Sequence, residues 1–289
     1  MRELVVISGK GGTGKTSMVG SLAALNSGAV LADCDVDAAN LHLLLEATLK
    51  EAEPFRASRV AVIKEEDCLQ CGLCVSLCRF EAIRDFKVDP TACEGCQVCY
   101  HICPTETISM EEVISGQCMV SDTPYGTLVH GRLGIGEANS GKLVTLVRQK
   151  ARELAEAQGK SLIITDGPPG IGCPVISSLS GASMALIVTE PTLSGIHDLE
   201  RVLAVCRHFG VRALVCINRY DLCLENTARI EAYCREQGIE VVGKIAVDLA
   251  VVKAMVAGQP VVVHKDYQDR EVSRQIKAMW AEVQARLLA

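Results

Sequence analysis

Residues 4–17 constrain the fold of this chain more than any other stretch. Leu4-Val5-Val6-Ile7-Ser8 reads as a short apolar strand, and Gly9-Lys10-Gly11-Gly12-Thr13-Gly14-Lys15-Thr16-Ser17 follows it directly. The first eight of these residues fit G-x-x-x-x-G-K-[ST]. Backbone N–H groups of Gly9, Gly11, Gly12, Thr13 and Gly14 can close around phosphate oxygens. Lys15 then reaches the outer phosphates and the Thr16 hydroxyl ligates Mg2+, with Ser17 beside it. A helix expected over about Lys15–Ser27 turns its positive end toward the anion.

Other apolar runs end in polar residues, as strands do where α/β sheets bind ligands. Val30-Leu31-Ala32 leads into Asp33-Cys34-Asp35-Val36-Asp37, and Ser161–Thr165 leads into Asp166. Gly167-Pro168-Pro169-Gly170 reads as a rigid turn. Ala185–Thr189 before Glu190-Pro191, Ala213–Asn218 and Gly243–Asp248 supply further strands, separated by helical stretches. The alternation predicts a doubly wound, mostly parallel α/β sheet.

Lys10, at the second position of the loop, together with Asp33-x-Asp35 and Asp166, resembles the MinD/ParA/Mrp and nitrogenase iron-protein group of deviant P-loop ATPases. That resemblance implies a homodimer with nucleotide at the interface, in which Lys10 acts on the partner's nucleotide. It implies that Asp35 orients or deprotonates the attacking water. Asp33 and Asp37 are secondary candidates for Mg2+ or switch contacts. Asp166 holds Mg2+ through water, and the Gly170 N–H senses the γ-phosphate. Asn218, Arg219 and Asp221 contact the base. Their N-[KR]-x-D form is also a guanine-reading signature, and the resemblance favours ATP. The implied activity is slow, partner-stimulated hydrolysis of ATP to ADP and phosphate.

The chain of 289 residues also carries 15 cysteines, an odd number in a sequence too long to need a disulfide framework. Only four apolar residues follow Met1-Arg2-Glu3, fewer than a secretory signal core requires, so a cytoplasmic location with reduced thiols is expected. Eight cysteines fall in two equal runs, Cys68-x2-Cys71-x2-Cys74-x3-Cys78 and Cys93-x2-Cys96-x2-Cys99-x3-Cys103-Pro104. This repeat resembles bacterial-type ferredoxins. The resemblance implies two 4Fe-4S clusters: one on Cys68, Cys71, Cys74 and Cys103, the other on Cys93, Cys96, Cys99 and Cys78. Sets of four thiolates also suit zinc, but two identical four-cysteine repeats favour clusters. Ala82-Ile83 and Thr107-Ile108 extend the repeat. Gly72 and Gly95 supply small residues for a tight wrap. Arg79 stands where ferredoxins usually have proline; it either raises the potential of a neighbouring cluster or faces solvent.

The expected organisation is a P-loop ATPase domain over 1–58 and 113–289, interrupted by an α+β ferredoxin domain over 59–112. Residues 121–142 read as strand fragments and loops rejoining the two. Residues 60–112 hold 4 Lys or Arg and 10 Asp or Glu, so the whole formal charge of −6 falls within them. Such a surface suits a basic redox partner. An acidic chain with 3% aromatic residues is not expected to bind nucleic acid. No apolar run approaches a membrane span.

Of the other cysteines, Cys206, Cys216 and Cys234 sit in apolar patterns and are expected in the core. Cys173, seven residues after Asp166, matches a bridging-cluster ligand of the nitrogenase iron protein. The matching second ligand is missing at Ala138, Asn139 and Ser140, so a bridge through Cys118 would need another path. Glu271–Leu288 places Val272, Ile276, Met279, Val283 and Leu287 at helical spacing with mixed charge, which favours packing on the sheet over membrane binding. Three functions remain open. The clusters pass electrons to a partner in step with ATP, the chain carries or assembles metal clusters for an acceptor, or it is a positioning ATPase with a redox sensor.

Overall fold

A computed structural model describes residues 1–26, 28–134, 137 and 139–288. The chain runs β1 (Arg2–Ser8), α1 (Lys15–Leu25), β2 (Val30–Asp33), α2 (Leu41–Leu44), β3 (Thr48–Ile63), α3 (Leu73–Leu77), β4 (Ile83–Arg84), β5 (Lys87–Val88), α4 (Val98–Ile102), β6 (Ile108–Thr123) and β7 (Gly126–Leu133). It continues α5 (Ser140–Ala157), β8 (Leu162–Pro169), α6 (Cys173–Leu179), β9 (Met184–Thr189), α7 (Leu193–His208), β10 (Arg212–Asn218), α8 (Leu224–Glu236), β11 (Glu240–Ile245), α9 (Leu249–Val256) and α10 (Glu271–Leu288). Nine strands form a sheet in the order β11-β10-β9-β1-β8-β2-β7-β6-β3. From β11 to β7 neighbouring strands pair in parallel. Only Pro124-Tyr125 separates β6 from β7, so those neighbours are antiparallel and the sheet is mixed.

The chain divides into two compact units. The first comprises Met1–Ala52, Cys118–Arg132 and Ser140–Ala289. Its central strands are buried on both faces, which is why they read as unbroken apolar runs. Alternate residues of β1 divide between two cores. Leu4 and Val6 join α1, α9 and α10, while Val5 and Ile7 join α6, α7 and α8. Val272, Ile276, Met279, Val283 and Leu287 are all buried, so α10 packs on the sheet. No described helix is long and apolar enough to cross a membrane.

The second unit comprises Glu53–Gln117 and Leu133–Asn139, and the expected span 59–112 lies inside it. Ala61, Cys74, Ile83 and Ile108 form its buried cluster with half-buried Cys78, Cys93, Cys99 and Cys103, and Phe55, Val60 and Ala82 are buried as well. The chain crosses between units along the two 16-residue strands β3 and β6.

Two stretches are more regular than expected. Gly167-Pro168-Pro169 continues β8 and is not a turn. Most of 121–142 belongs to the β6–β7 hairpin and the start of α5, held by buried Ser121, Leu128 and Val129. Gly136 and Ala138 lie outside the described residues, as does Ser27, and α1 ends at Leu25.

Candidate functional site

The phosphate loop leaves β1 at Ser8, whose Oγ donates to the Lys10 carbonyl at 2.6 Å. It enters α1 through Gly14 at φ +91°, a left-handed conformation that a side chain would strain. Space forbids one there too: an added Cβ would stand 2.5 Å from Asn218 Nδ2. That amide donates to the Thr13 carbonyl at 2.7 Å and so ties the end of β10 to the loop. Lys15 is buried at the first turn of α1, with Thr16 next to it.

Strand register delivers the carboxylates. Asp33 on β2 pairs with Asp166 on β8, both fully buried. Asp33 accepts from the backbone N–H of Asp35 and of Leu41, each at 3.1 Å, so it shapes the loop after β2. Asp166 differs: neither carboxylate oxygen has a hydrogen-bond partner among the described residues. Burial pushes its carboxyl up to about 6, against the pull of the Lys15 charge. Burial also raises Asp33, with Asp166 adding to the shift, and raises Asp35 against Lys15. The three carboxylates do not form a close metal cage among themselves, but the two orphaned Asp166 oxygens near Lys15 and Asp35 can accept from the waters of a hydrated divalent cation. Asp37 is exposed and outside this group.

Lys10 folds back within its own chain. Its Nζ donates to Thr192 Oγ1 at 3.2 Å and Ser194 Oγ at 3.1 Å, and stands 3.7 Å from Glu190 Oε2. Glu190, itself buried, uses its other oxygen to accept from Arg219 Nη1. The Gly170 N–H is likewise committed, donating to the Ser8 carbonyl at 2.9 Å, so it does not offer itself to a phosphate.

Beyond Gly14 a cleft of about 660 Å³ opens between Ser17, Asn218, Arg219 and the wall formed by Ile245–Leu249, Val252 and Met255. Asp221 is not part of it. Its Oδ1 accepts from the Val247 N–H of the cleft wall at 2.8 Å. Asp248 does line the cleft, but its Oδ1 caps α9 and its Oδ2 pairs with Arg270 at 3.0 Å.

The second unit holds two small pockets open to solvent. Cys68, Cys71, Cys74 and Cys103 line one; Cys78, Cys93, Cys96 and Cys99 line the other. The backbone repeats with the sequence. Gln70 and Gly72 are left-handed in the first run, Gly95 and Gln97 in the second, and Glu81 and Glu106 match at the two ends. Gly95 also lies so near the Arg59 carbonyl that a Cβ would stand 2.4 Å from it. No three His, Cys, Asp or Glu groups among the described residues converge tightly enough for a single metal ion. Four thiols lining one pocket suit either a four-coordinate zinc or a multinuclear iron–sulfur group. Arg79 is exposed and lies over the Phe80 ring, 5.4 Å from its centroid.

Comparison with known proteins settles the nucleotide half. The family described as the CobQ/CobB/MinD/ParA nucleotide binding domain matches residues 4–261. The chain belongs to this family. The uncharacterized protein MJ0578 of Methanocaldococcus jannaschii is 37% identical over 220 residues, covering 75% of this chain and 78% of that protein. Two solved structures share the fold at 18% identity. The Pyrococcus horikoshii septum site-determining protein MinD, complexed with Mg-ADP, superposes with a TM-score of 0.61, covering 100% of this chain and 98% of that one. The cell division ATPase MinD of Pyrococcus furiosus gives 0.60, with 100% and 99% covered.

Within this MinD/ParA-type ATPase, the fold gathers Lys15, Thr16, Asp33, Asp35 and Asp166 at one point and Asn218 and Arg219 at the next. The sequence reading missed Glu190 as the partner of Lys10 and Arg219, and missed the 245–255 wall. The only local signal for Glu190 was its position at a strand end before Pro191. Of the remaining cysteines, Cys206, Cys216 and Cys234 are buried, and burial raises their thiols to about 12, 12 and 11. Cys173 is exposed at the start of α6, whereas Cys118 is buried in β6, which places it badly for a bridge to a second chain.

Proposed function

We propose that this chain is a Mg2+-dependent ATP hydrolase of the MinD/ParA type whose nucleotide cycle governs two 4Fe-4S clusters held by the second unit. The observation that carries this reading is the sorting of eight cysteines, four and four, around two cavities. A unit with only seven buried apolar residues among those described also favours completion by an inorganic staple.

For the nucleotide, Thr16 and Asp166 would hold Mg2+, filling the two orphaned oxygens. Lys15 would neutralise the outer phosphates. Asp35, whose raised carboxyl suits a proton acceptor, would orient water for in-line attack, giving ADP and phosphate. Lys10 would leave Glu190, Thr192 and Ser194 to reach the nucleotide of a second copy. Adenine is favoured over guanine because no described carboxylate in the cleft is free to accept from the guanine N1–H and N2–H. Cys68, Cys71, Cys74 and Cys103 would hold one cluster, and Cys78, Cys93, Cys96 and Cys99 the other. When bound, each supplies one-electron transfer. The domain boundaries at 59 and 112 and a cytoplasmic location belong to the same proposal, and the acidic charge of 60–112 suits a basic acceptor protein.

A second reading is favoured by the family assignment: a positioning ATPase in which the cysteine-rich unit senses redox state. A carrier that hands clusters to an acceptor is the third. One experiment separates them. The chain is reconstituted with iron and sulfide without oxygen, and ATP hydrolysis, cluster reduction and transfer to an apo-acceptor are followed together. Clusters that stay bound and deliver electrons faster with ATP support the first reading. ATP-driven loss of cluster to the acceptor supports the carrier. Redox state that changes ATP turnover without any electron delivery supports the sensor.

A further inference from the structure

We propose that the hydroxyls of Thr105 and Thr107 set the two cysteine cavities apart in redox potential. The group held by Cys68, Cys71, Cys74 and Cys103 is then the easier to reduce. This rests on the reading that each cavity holds a 4Fe-4S cluster. Cys103 Sγ lies 3.4 Å from Thr107 Oγ1 and 3.6 Å from Thr105 Oγ1. Toward a metal-bound thiolate a hydroxyl can only donate. The Gln70 N–H donates to Cys68 Sγ at 3.4 Å in the same cavity. Hydrogen bonds donated to cluster sulfurs favour the reduced state, which carries one more negative charge. Thr107 is 5% exposed, so little water competes for its hydroxyl.

The internal repeat supplies the control. Thr105 and Thr107 stand two and four residues after Cys103; the equivalents after Cys78 are Phe80 and Ala82. Each pair lines its own cavity. Among the described residues, no side-chain donor is found on the sulfurs of Cys78, Cys93, Cys96 or Cys99; the Tyr100 N–H serves Cys99 as the Val75 N–H serves Cys74, so these two cancel in the comparison. Glu81 and Glu106 occupy matching positions with matching backbone, so their charges offset in the comparison. Arg79, beside Cys78, pulls the other way. It is exposed and stacked on Phe80, where solvent screens its charge, while Thr107 acts from a buried position.

The test uses the full chain reconstituted with iron and sulfide, with its two reduction waves recorded by voltammetry and electron paramagnetic resonance. Thr107→Val keeps the shape and removes the donor. It should lower the higher wave by about three- to tenfold in reduction equilibrium, at about 59 mV per tenfold for one electron, and leave the lower wave in place. Ala82→Thr should raise the lower wave and narrow the gap. Normal iron content with both waves unmoved, or both moved equally, overturns the assignment to the threonines. A wild-type chain that takes up no iron–sulfur absorption overturns the parent reading instead. Should Thr107→Val lose iron, Ala82→Thr still decides the matter: an unshifted lower wave at normal iron content sinks the proposal.

Discussion

At the scale of single residues the site is decided by which charges lack partners. Asp166 is buried with two empty acceptors and a carboxyl raised to about 6. An unfolded Asp titrates near 3.9. Between about pH 4 and pH 6 the folded chain therefore binds more protons than the unfolded chain, and this residue's contribution makes stability fall as pH rises. Denaturant titration without Mg2+ should show Asp166→Asn removing that part of the slope and gaining stability at pH 7, while losing Mg2+-dependent nucleotide binding. A variant with the wild-type slope would count against an uncompensated Asp166. The two loop lysines divide in the same way. Lys15 is buried at the phosphates, and Lys15→Ala should abolish binding of a fluorescent ATP analogue. Lys10 is held by Glu190, Thr192 and Ser194, outside the loop's own phosphate cradle. Lys10→Ala should leave binding near normal, and phosphate release should fall by about a thousandfold if it acts across a dimer. Unchanged release would remove it from the hydrolytic step.

At the scale of elements, the phosphate end of the sheet is matched by a charged clamp at its other end. Glu3 on β1 takes Arg148 of α5 in a two-pronged pair at 2.7 and 2.8 Å, and also accepts from Arg152 and from Thr165 on β8. Arg148 then donates to the carbonyls of Ser177 and Ser180 around the end of α6. Burial pushes Glu3 up, but the two arginines more than offset it and hold the carboxyl below its usual range. Glu3→Ala would leave Arg148 buried and unpaired, costing about 3–5 kcal/mol. Urea unfolding should show that loss as a lower midpoint at constant slope, with Glu3→Leu/Arg148→Met recovering most of it. A loss under about 1 kcal/mol would mean that the pair is solvated. Elements like β1, β8 and β9 were legible because burial on both faces leaves an unbroken apolar run. The strands β3 and β6 were not: their exposed halves, such as Thr48–Pro54, alternate weakly and look like loop. The continuation of β8 through Gly167-Pro168-Pro169 was hidden by residues that usually mark turns. Glu190 was hidden because its meaning lies in Lys10 and Arg219, far away in sequence. The cysteine sets were readable because the same spacing occurs twice.

At the scale of the whole molecule, two units of unequal self-sufficiency share one chain. The nucleotide unit buries two large apolar cores, one on each face of its sheet. The second unit, carrying all of the formal charge of −6, buries seven apolar residues among those described, Phe55, Val60, Ala61, Cys74, Ala82, Ile83 and Ile108, and packs half-buried cysteines against them. Clustered acids also repel one another more strongly as a unit becomes compact. Apolar burial on this scale rarely supplies the entropy cost of ordering so many residues, so under the proposed function the bound clusters would be part of the fold. Hydrogen exchange on the intact chain measures this directly. With about eight irons per chain bound, amides of 53–117 should be protected. Stripping the iron with a chelator under reducing conditions should release protection across 53–117 and leave 1–26, 140–157 and 162–218 unchanged. Equal protection of 53–117 before and after stripping would mean that the thin core suffices, and the cysteines would then need another explanation than a staple. Loss of protection in both units at once would mean that the division into units does not extend to their stability. Cys74→Ser offers the graded case. It removes a ligand from one cavity and leaves the other four sulfurs intact, so about half the iron should remain, and exchange should rise first around Leu73–Leu77.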